Sequence, residues 1–266
     1  MMLASSRTIM VKQTVDTSFL VWYDEEMIET YVVIPFKGKI EMTDALITQL
    51  AEQQDAAFVI LMNNGEPQRF SWSARYSRGT GVGIQTYNEP GTPLHVMWNK
   101  GIAHAVDIAG TTNINVAVLN NDLRLETPNY LECMADALRS DPDVGVVTGM
   151  PLEWSFSHDL TGGAVAQGNS MMLRAKLPFR FDERFQWYWG DVDLFAQAEN
   201  AGYRVVTCAE ARHTHLDGGS QTLRELDQDY FRRCIISDLD IFFAKWPQIP
   251  LHDREIPRRF LRPRSA

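Results

Sequence analysis

The chain has 266 residues, 45% hydrophobic and 22% charged, which suits one large folded domain with additions. Its net charge of −9 argues against a general binder of nucleic-acid backbones but leaves room for a local nucleotide site. No apolar run approaches the length that spans a bilayer, and the opening MMLASSRTIMVKQTV lacks the continuous apolar stretch of a secretory signal. Cys133, Cys208 and Cys234 have no metal-ligand spacing, and an odd count fits reduced thiols in the cytoplasm better than a disulfide framework.

Residues 1–30 read as an N-terminal extension with strands at 8–14 and 19–22. Tyr31-Val32-Val33-Ile34-Pro35-Phe36 is a buried strand that stops at a proline. A helix over 40–54 follows, with Met42, Ala45, Leu46 and Leu50 on one side. Phe58-Val59-Ile60-Leu61-Met62 is a second apolar run, closed by Asn63-Asn64-Gly65. Runs without alternation predict strands covered on both faces, as in parallel sheets. A shorter strand is expected over 82–87 and a helix over 94–108. Asn115-Val116-Ala117-Val118-Leu119 is the next buried strand, closed by Asn120-Asn121-Asp122. Thr127-Pro128 then opens a helix through Leu138, with Thr127 as cap and Pro128 at the first helical position. Asp141-Pro142-Asp143 is a turn before a strand over 144–148. This alternation implies a doubly wound α/β layer.

Beyond Gly149 the pattern changes. Residues 164–173 read as a strand in a mixed or antiparallel setting. A helix runs from Asp191 to about Ala201, with Gly202 as its C-cap. Residues 203–208 form a strand, and a long amphipathic helix over 222–245 closes the core. The tail over 254–264 is basic; a solvated tail and a contact for an anionic membrane or partner both fit it.

Ligands of an open α/β sheet bind outside the carboxyl ends of its strands. The polar groups there are Pro35-Phe36-Lys37-Gly38, Asn63-Asn64-Gly65 and Asn120-Asn121-Asp122. Each is also an ordinary turn. Together they line a crevice rich in hydrogen-bonding groups. A phosphate-loop fingerprint is absent, and Gly79-Thr80-Gly81-Val82-Gly83 lacks the strand-to-helix placement of a dinucleotide site. Asp122 is the one acid of its triplet and suits a hard cation shared with substrate phosphates. His213 and His215 point the same way from an extended segment and offer a metal or phosphate contact. Phe185-Gln186-Trp187-Tyr188-Trp189 leads into Gly190-Asp191-Val192-Asp193, where two carboxylates meet a helix N-terminus beside aromatic faces that suit a sugar.

These blocks, in this order, resemble the family 2 glycosyltransferases, close to their rhamnosyltransferase-like branch. The matching residues are Val32-Val33-Ile34-Pro35, Met62-Asn63-Asn64-Gly65, Asn99-Lys100-Gly101-Ile102-Ala103 and Leu119-Asn120-Asn121-Asp122. They continue with Phe181-Asp182-Glu183-Arg184-Phe185, Asp191-Val192-Asp193-Leu194, Gly202-Tyr203-Arg204-Val205 and His215-Leu216-Asp217-Gly218-Gly219-Ser220.

The resemblance implies a GT-A fold: a Rossmann-like, mostly parallel α/β sheet with a mixed C-terminal part and helices on both faces. It implies a catalytic domain over 31–221, split into a nucleotide-sugar half (31–149) and an acceptor half (150–221), before a C-terminal helix and tail (222–266). The implied activity is inverting, metal-dependent transfer of a sugar from a nucleoside-diphosphate sugar. Asp122 and His215 would hold Mn²⁺ or Mg²⁺, with His213 as the fallback. Pro35, Phe36, Asn63, Asn99, Asn120 and Asn121 would line the donor nucleotide, and Asp191 would be the catalytic base. Trp187, Trp189 and Asp193 are the acceptor candidates; for the aromatics, packing beneath the acceptor is the other reading, and for Asp193 an orienting or capping role. A UDP-sugar is the preferred donor, with dTDP-rhamnose next. A glycan, a lipid-linked sugar, a protein side chain and a modified nucleic-acid base stay open as acceptors. Two positions depart from the family: its usual glutamate before the base is Gly190, and the first acid of its Asp-x-Asp is Asn120. A non-catalytic sugar- or nucleotide-binding module and a nucleotidyltransferase are the rival readings.

Overall fold

The computed structural model describes residues 8–14, 17–23, 29–53, 58–66, 82–152, 168–216 and 228–247. β1 (Thr8–Thr14) and β2 (Thr17–Tyr23) pair antiparallel as a separate two-stranded sheet. The main sheet has eight strands: β3 (Thr30–Phe36), β4 (Phe58–Asn63), β5 (Gly83–Asn88), β6 (Asn115–Leu119), β7 (Leu123–Leu125), β8 (Val144–Pro151), β9 (Ser170–Arg174) and β10 (Arg204–His215). Their order is β5-β4-β3-β6-β9-β8-β10-β7. The first four are parallel; β9 runs antiparallel to both β6 and β8, and β7 antiparallel to β10. This is the mixed α/β GT-A architecture that the sequence implies.

Helices cover both faces, which is why the strands are apolar without alternation. α1 (Ile40–Gln53) and α3 (Tyr130–Ser140) pack on one face against Val32, Ile34, Val59, Leu61, Ala117 and Leu119. α2 (Leu94–Ala109) and α4 (Gly190–Asn200) pack on the other, against Val33, Ile60, Met62, Val116 and Val118. α5 (Gln228–Lys245) builds a third, smaller cluster in which Phe242 and Trp246 close over Phe185. Among the described residues no helix is long and apolar enough to cross a membrane.

Several expectations shift. The buried stripe of α1 is Thr43, Leu46, Ile47, Leu50 and Ala51, while Ala45 is exposed. α3 begins at Tyr130 after Asn129 in the left-handed region (φ 58°), so Thr127 is not its cap. The Thr127 hydroxyl donates to the Glu210 carbonyl (2.7 Å) and accepts from the Arg212 amide (3.0 Å). Those bonds hold a bulge in β10: Cys208 pairs with Gly149 and Arg212 with Met150, so Ala209, Glu210 and Ala211 loop out. The strand therefore continues to His215 instead of ending at Cys208. α4 is closed by Ala201, with Gly202 one residue later at φ 85°. Residues 164–167 and 222–227, the loop of Gly79, Thr80 and Gly81, the Asp217-Gly218-Gly219-Ser220 end of the histidine block and the basic tail lie outside the described residues.

Candidate active site

β3 pairs with β6 only from Thr30 to Val33, so the two strands part at their carboxyl ends, where Ile34, Pro35 and Phe36 lie on one side and Leu119 and Asn120 on the other. From β3 the chain continues to β4 and β5 on one side, then returns through α2 to β6 on the other. This is the switch point at which such sheets open a ligand crevice. α1 starts beside it, after Gly38 and Lys39 at positive φ (63° and 49°), and brings its N-terminal backbone amides and dipole.

The Asn120-Asn121-Asp122 turn is held on both flanks. The Asn120 amide donates to the Asn169 carbonyl (2.8 Å), and the Asn121 side chain donates to the Thr43 hydroxyl (3.1 Å) at the start of α1. That bond explains why a threonine sits fully buried in the apolar stripe of α1. Asp122 is 9% exposed, and its Oδ1 lies 3.0 Å from Nε2 of His215. The Leu216 amide returns to the Asp122 carbonyl, so strand end and turn are tied twice.

Asp122 and His215 form a hydrogen-bonded pair whose 3.0 Å separation is also about that of neighbouring ligands in an octahedral site, so the two could hold a divalent cation. Among the described residues no cluster of three or more His, Cys, Asp or Glu surrounds it. His213 lies in the wall behind. It is fully buried, its Nδ1 meets the Tyr130 hydroxyl at 2.8 Å, and its Nε2 has no hydrogen-bond partner among the described residues. Burial, reinforced by His215, pushes its pKa down to about 4, so it is a neutral ring.

Asp191 opens the far side. Its Oδ1 accepts from the Val192 amide (2.9 Å) in the first turn of α4. Its other face is covered by Gly168: a Cβ at that glycine would lie 2.3 Å from Asp191 Oδ2. Gly168 and Asn169 lead into β9, and Asn169 holds Asn120, so a short path links Asp191 to the Asn120-Asn121-Asp122 turn. Burial, and then the charge of Asp191, raise the pKa of Tyr188.

Two groups that the sequence reading did not single out shape this end. Asp238 of α5 is fully buried, and its oxygens accept from the amides of Gln186 (2.8 Å), Trp187 (2.8 Å) and Tyr188 (2.9 Å). A single carboxylate from the last helix thus fixes the backbone that leads into Asp191. His95 of α2 is 1% exposed, its Nδ1 lies 2.8 Å from the Phe185 carbonyl, and its outer edge fills the space beside Gly190.

The remaining candidates have other neighbours. Asp193 is fully buried and serves α5: Nζ of Lys245 (2.8 Å) and the indole N–H of Trp246 (2.7 Å) reach its Oδ1. Its carboxylate is thus enclosed by Lys245 and Trp246, as the orienting reading of Asp193 has it. The Trp189 ring packs on Phe242 and Phe243, with centroids 4.8 and 6.1 Å away, which favours the packing reading; Trp187 is half-buried. Asn63 uses both amide hydrogens on the Glu66 carbonyl and Asn88, and its oxygen accepts from the Gly65 amide. Asn99 joins α2 to the Phe181 backbone in both directions and to Glu183. Phe36 belongs to the core, and Pro35 is a buried strand residue. Asn63, Asn99 and Phe36 therefore tie together the protein's own loops and core, while Asn120 and Asn121 stand at the carboxyl end of β6.

No protein-family model and no curated protein sequence matches the chain. Solved structures do. TarS of S. aureus superposes with a TM-score of 0.55 at 11% identity over 82% of this chain, which spans only 44% of that protein. A shorter TarS of residues 1–349 gives 0.54 at 12% identity, covering 82% of this chain and 72% of that one. Glucosyl-3-phosphoglycerate synthase from Mycobacterium tuberculosis, crystallised with Mn²⁺, UDP-glucose and phosphoglyceric acid, gives 0.52 at 12% identity over 84% and 81% of the two chains. At these identities the likeness is one of fold alone: the chain shares the architecture of TarS and of the synthase.

Proposed function

We propose that this protein is a glycosyltransferase that moves a sugar from a nucleoside-diphosphate sugar to an acceptor hydroxyl with inversion. The observation that carries the reading is the wall of the crevice. Asp122 and His215 stand at one end and Asp191 at the other, joined through Asn120, Asn169 and Gly168. The diphosphate lies over Asn120, Asn121 and the N-terminus of α1. Asp122 and His215 hold Mn²⁺ or Mg²⁺, whose charge offsets the negative charge that develops on the leaving diphosphate. Asp191 takes the proton of the acceptor hydroxyl, because a sugar hydroxyl is too weak a nucleophile without a carboxylate in reach. The freed oxygen attacks the anomeric carbon from the face opposite the leaving group, and one displacement inverts the configuration.

The fold shared with a synthase that was crystallised with UDP-glucose and Mn²⁺ supports a UDP-sugar donor, ahead of dTDP-rhamnose. The acceptor enters over Trp187 and Tyr188. The test is release of nucleoside diphosphate from a panel of nucleotide sugars, with Mn²⁺, Mg²⁺ or a chelator, for the wild type and Asp191→Asn. General-base removal lowers turnover roughly 10²-fold or more while donor affinity stays within about twofold. Equal rates for the two proteins sink the assignment of Asp191. A wild type that binds nucleotide sugars and never turns them over is a binding module instead.

A further inference from the structure

The position before Asp191 is a glycine for a reason that lies in another helix. A Cβ built on Gly190 would lie 2.0 Å from Nε2, 2.3 Å from Cδ2 and 2.7 Å from Cε1 of His95. No side chain fits there unless the imidazole leaves. The ring itself is locked. It is 1% exposed, sits edge-on to Trp98 (centroids 5.1 Å apart) and is flanked by Phe181 and Phe185. Its Nδ1 meets the Phe185 carbonyl, which can only accept, so Nδ1 carries the hydrogen in the neutral ring and Nε2 carries the lone pair. Nε2 is thus the edge turned toward the first residue of α4, next to Asp191.

We propose that His95 is a positioning residue of the acceptor side: its imidazole occupies the volume that a side chain at position 190 would take, joins the Phe185 carbonyl to the start of α4, and thereby sets where Asp191 stands. The two positions are therefore one unit, an imidazole from α2 with a glycine in α4. The catalytic consequence rests on the reading of Asp191 as base; the packing unit does not. Asp238 fixes the same loop from the opposite side through three backbone amides, so Asp191 is approached by a chain segment that is held at Phe185 by α2 and at residues 186–188 by α5.

The test uses the full-length chain with His95→Ala, His95→Asn, Gly190→Ala and the double variant His95→Ala/Gly190→Ala. Asparagine keeps a donor for the Phe185 carbonyl at the place of Nδ1. Gly190→Ala alone lowers the melting temperature by about 5 °C or more, as overpacking does, and loses most of that cost once His95 is alanine. In turnover, His95→Ala lowers kcat at least tenfold with the donor KM within twofold, and His95→Asn recovers a large part of the loss. Additive melting shifts, or a His95→Ala enzyme with wild-type kcat, overturn the proposal. A loss seen only in donor KM overturns it as well. A wild type without turnover refutes the transferase reading, and with it the catalytic consequence, while the melting cycle still decides whether His95 and Gly190 act as one unit.

Discussion

Asp238→Ala is the sharpest test of how the last helix serves the site. The wild-type carboxylate accepts three amide hydrogens at 2.8, 2.8 and 2.9 Å from a fully buried position. Hydrogen bonds to a charged group contribute roughly 1.5–3 kcal/mol each, and a donor left unmet costs about 1–3 kcal/mol. Two effects reduce the sum. Gln186 is exposed and Trp187 and Tyr188 are half-buried, so water reaches some of the freed amides. The carboxylate's own desolvation also disappears with the side chain. The expected loss is about 3–5 kcal/mol, a large part of the 5–15 kcal/mol typical of a domain. Urea unfolding measures it, and Asp238→Asn, which keeps one acceptor oxygen, should fall between. Turnover should drop with stability, because the released segment leads straight into Asp191. A loss below about 1 kcal/mol, with kcat unchanged, would refute the idea that α5 holds the acceptor loop.

Two further outcomes follow from the same geometry. Gly168→Ala brings a Cβ within 2.4 Å of the Asp191 Cβ, the near end of that side chain, so the carboxylate cannot simply swing aside; kcat should fall at least tenfold while the protein still folds and binds donor, and a wild-type kcat would contradict the placement. His95 has its pKa lowered, first by burial, against the Phe185 carbonyl and the charges of Asp191, Asp238 and Asp193, which favour the protonated ring. A histidine whose folded value lies below its unfolded one contributes stability above about pH 6.5 and loses it as pH falls toward the folded value, at up to about 1.4 kcal/mol per pH unit. Unfolding free energies between pH 7.5 and 5 should therefore fall more steeply for the wild type than for His95→Asn, and parallel slopes would refute the burial argument.

Much of the fold is legible along the chain because each buried strand carries its own pattern. Val32 to Phe36, Phe58 to Met62 and Val116 to Leu119 are apolar at every position, and only a sheet covered on both faces explains that. The roles proposed for Asp122, His215 and Asp191 have a different source: these residues stand at strand and helix ends, where the ligands of such sheets bind. The missed boundaries share one cause. Thr127 has the look of a helix cap, yet its hydroxyl bonds across to Glu210 and Arg212, residues far along the chain. The amides of Asn63 and Asn99, proposed on the donor side, also tie together segments far apart along the chain.

The sequence by itself determined the layered α/β architecture and the polar residues at its strand ends, since local pattern and hydrophobic period set these. It could not determine what lies beside them. Gly190 is an unexplained departure until His95, almost a hundred residues earlier, is seen in its place; Asp193 looks like a site carboxylate until Lys245 and Trp246 close on it; and Asp238 has no motif at all. Those choices belong to the tertiary structure, because whether a carboxylate faces a substrate or a backbone amide depends on which distant helix packs over it.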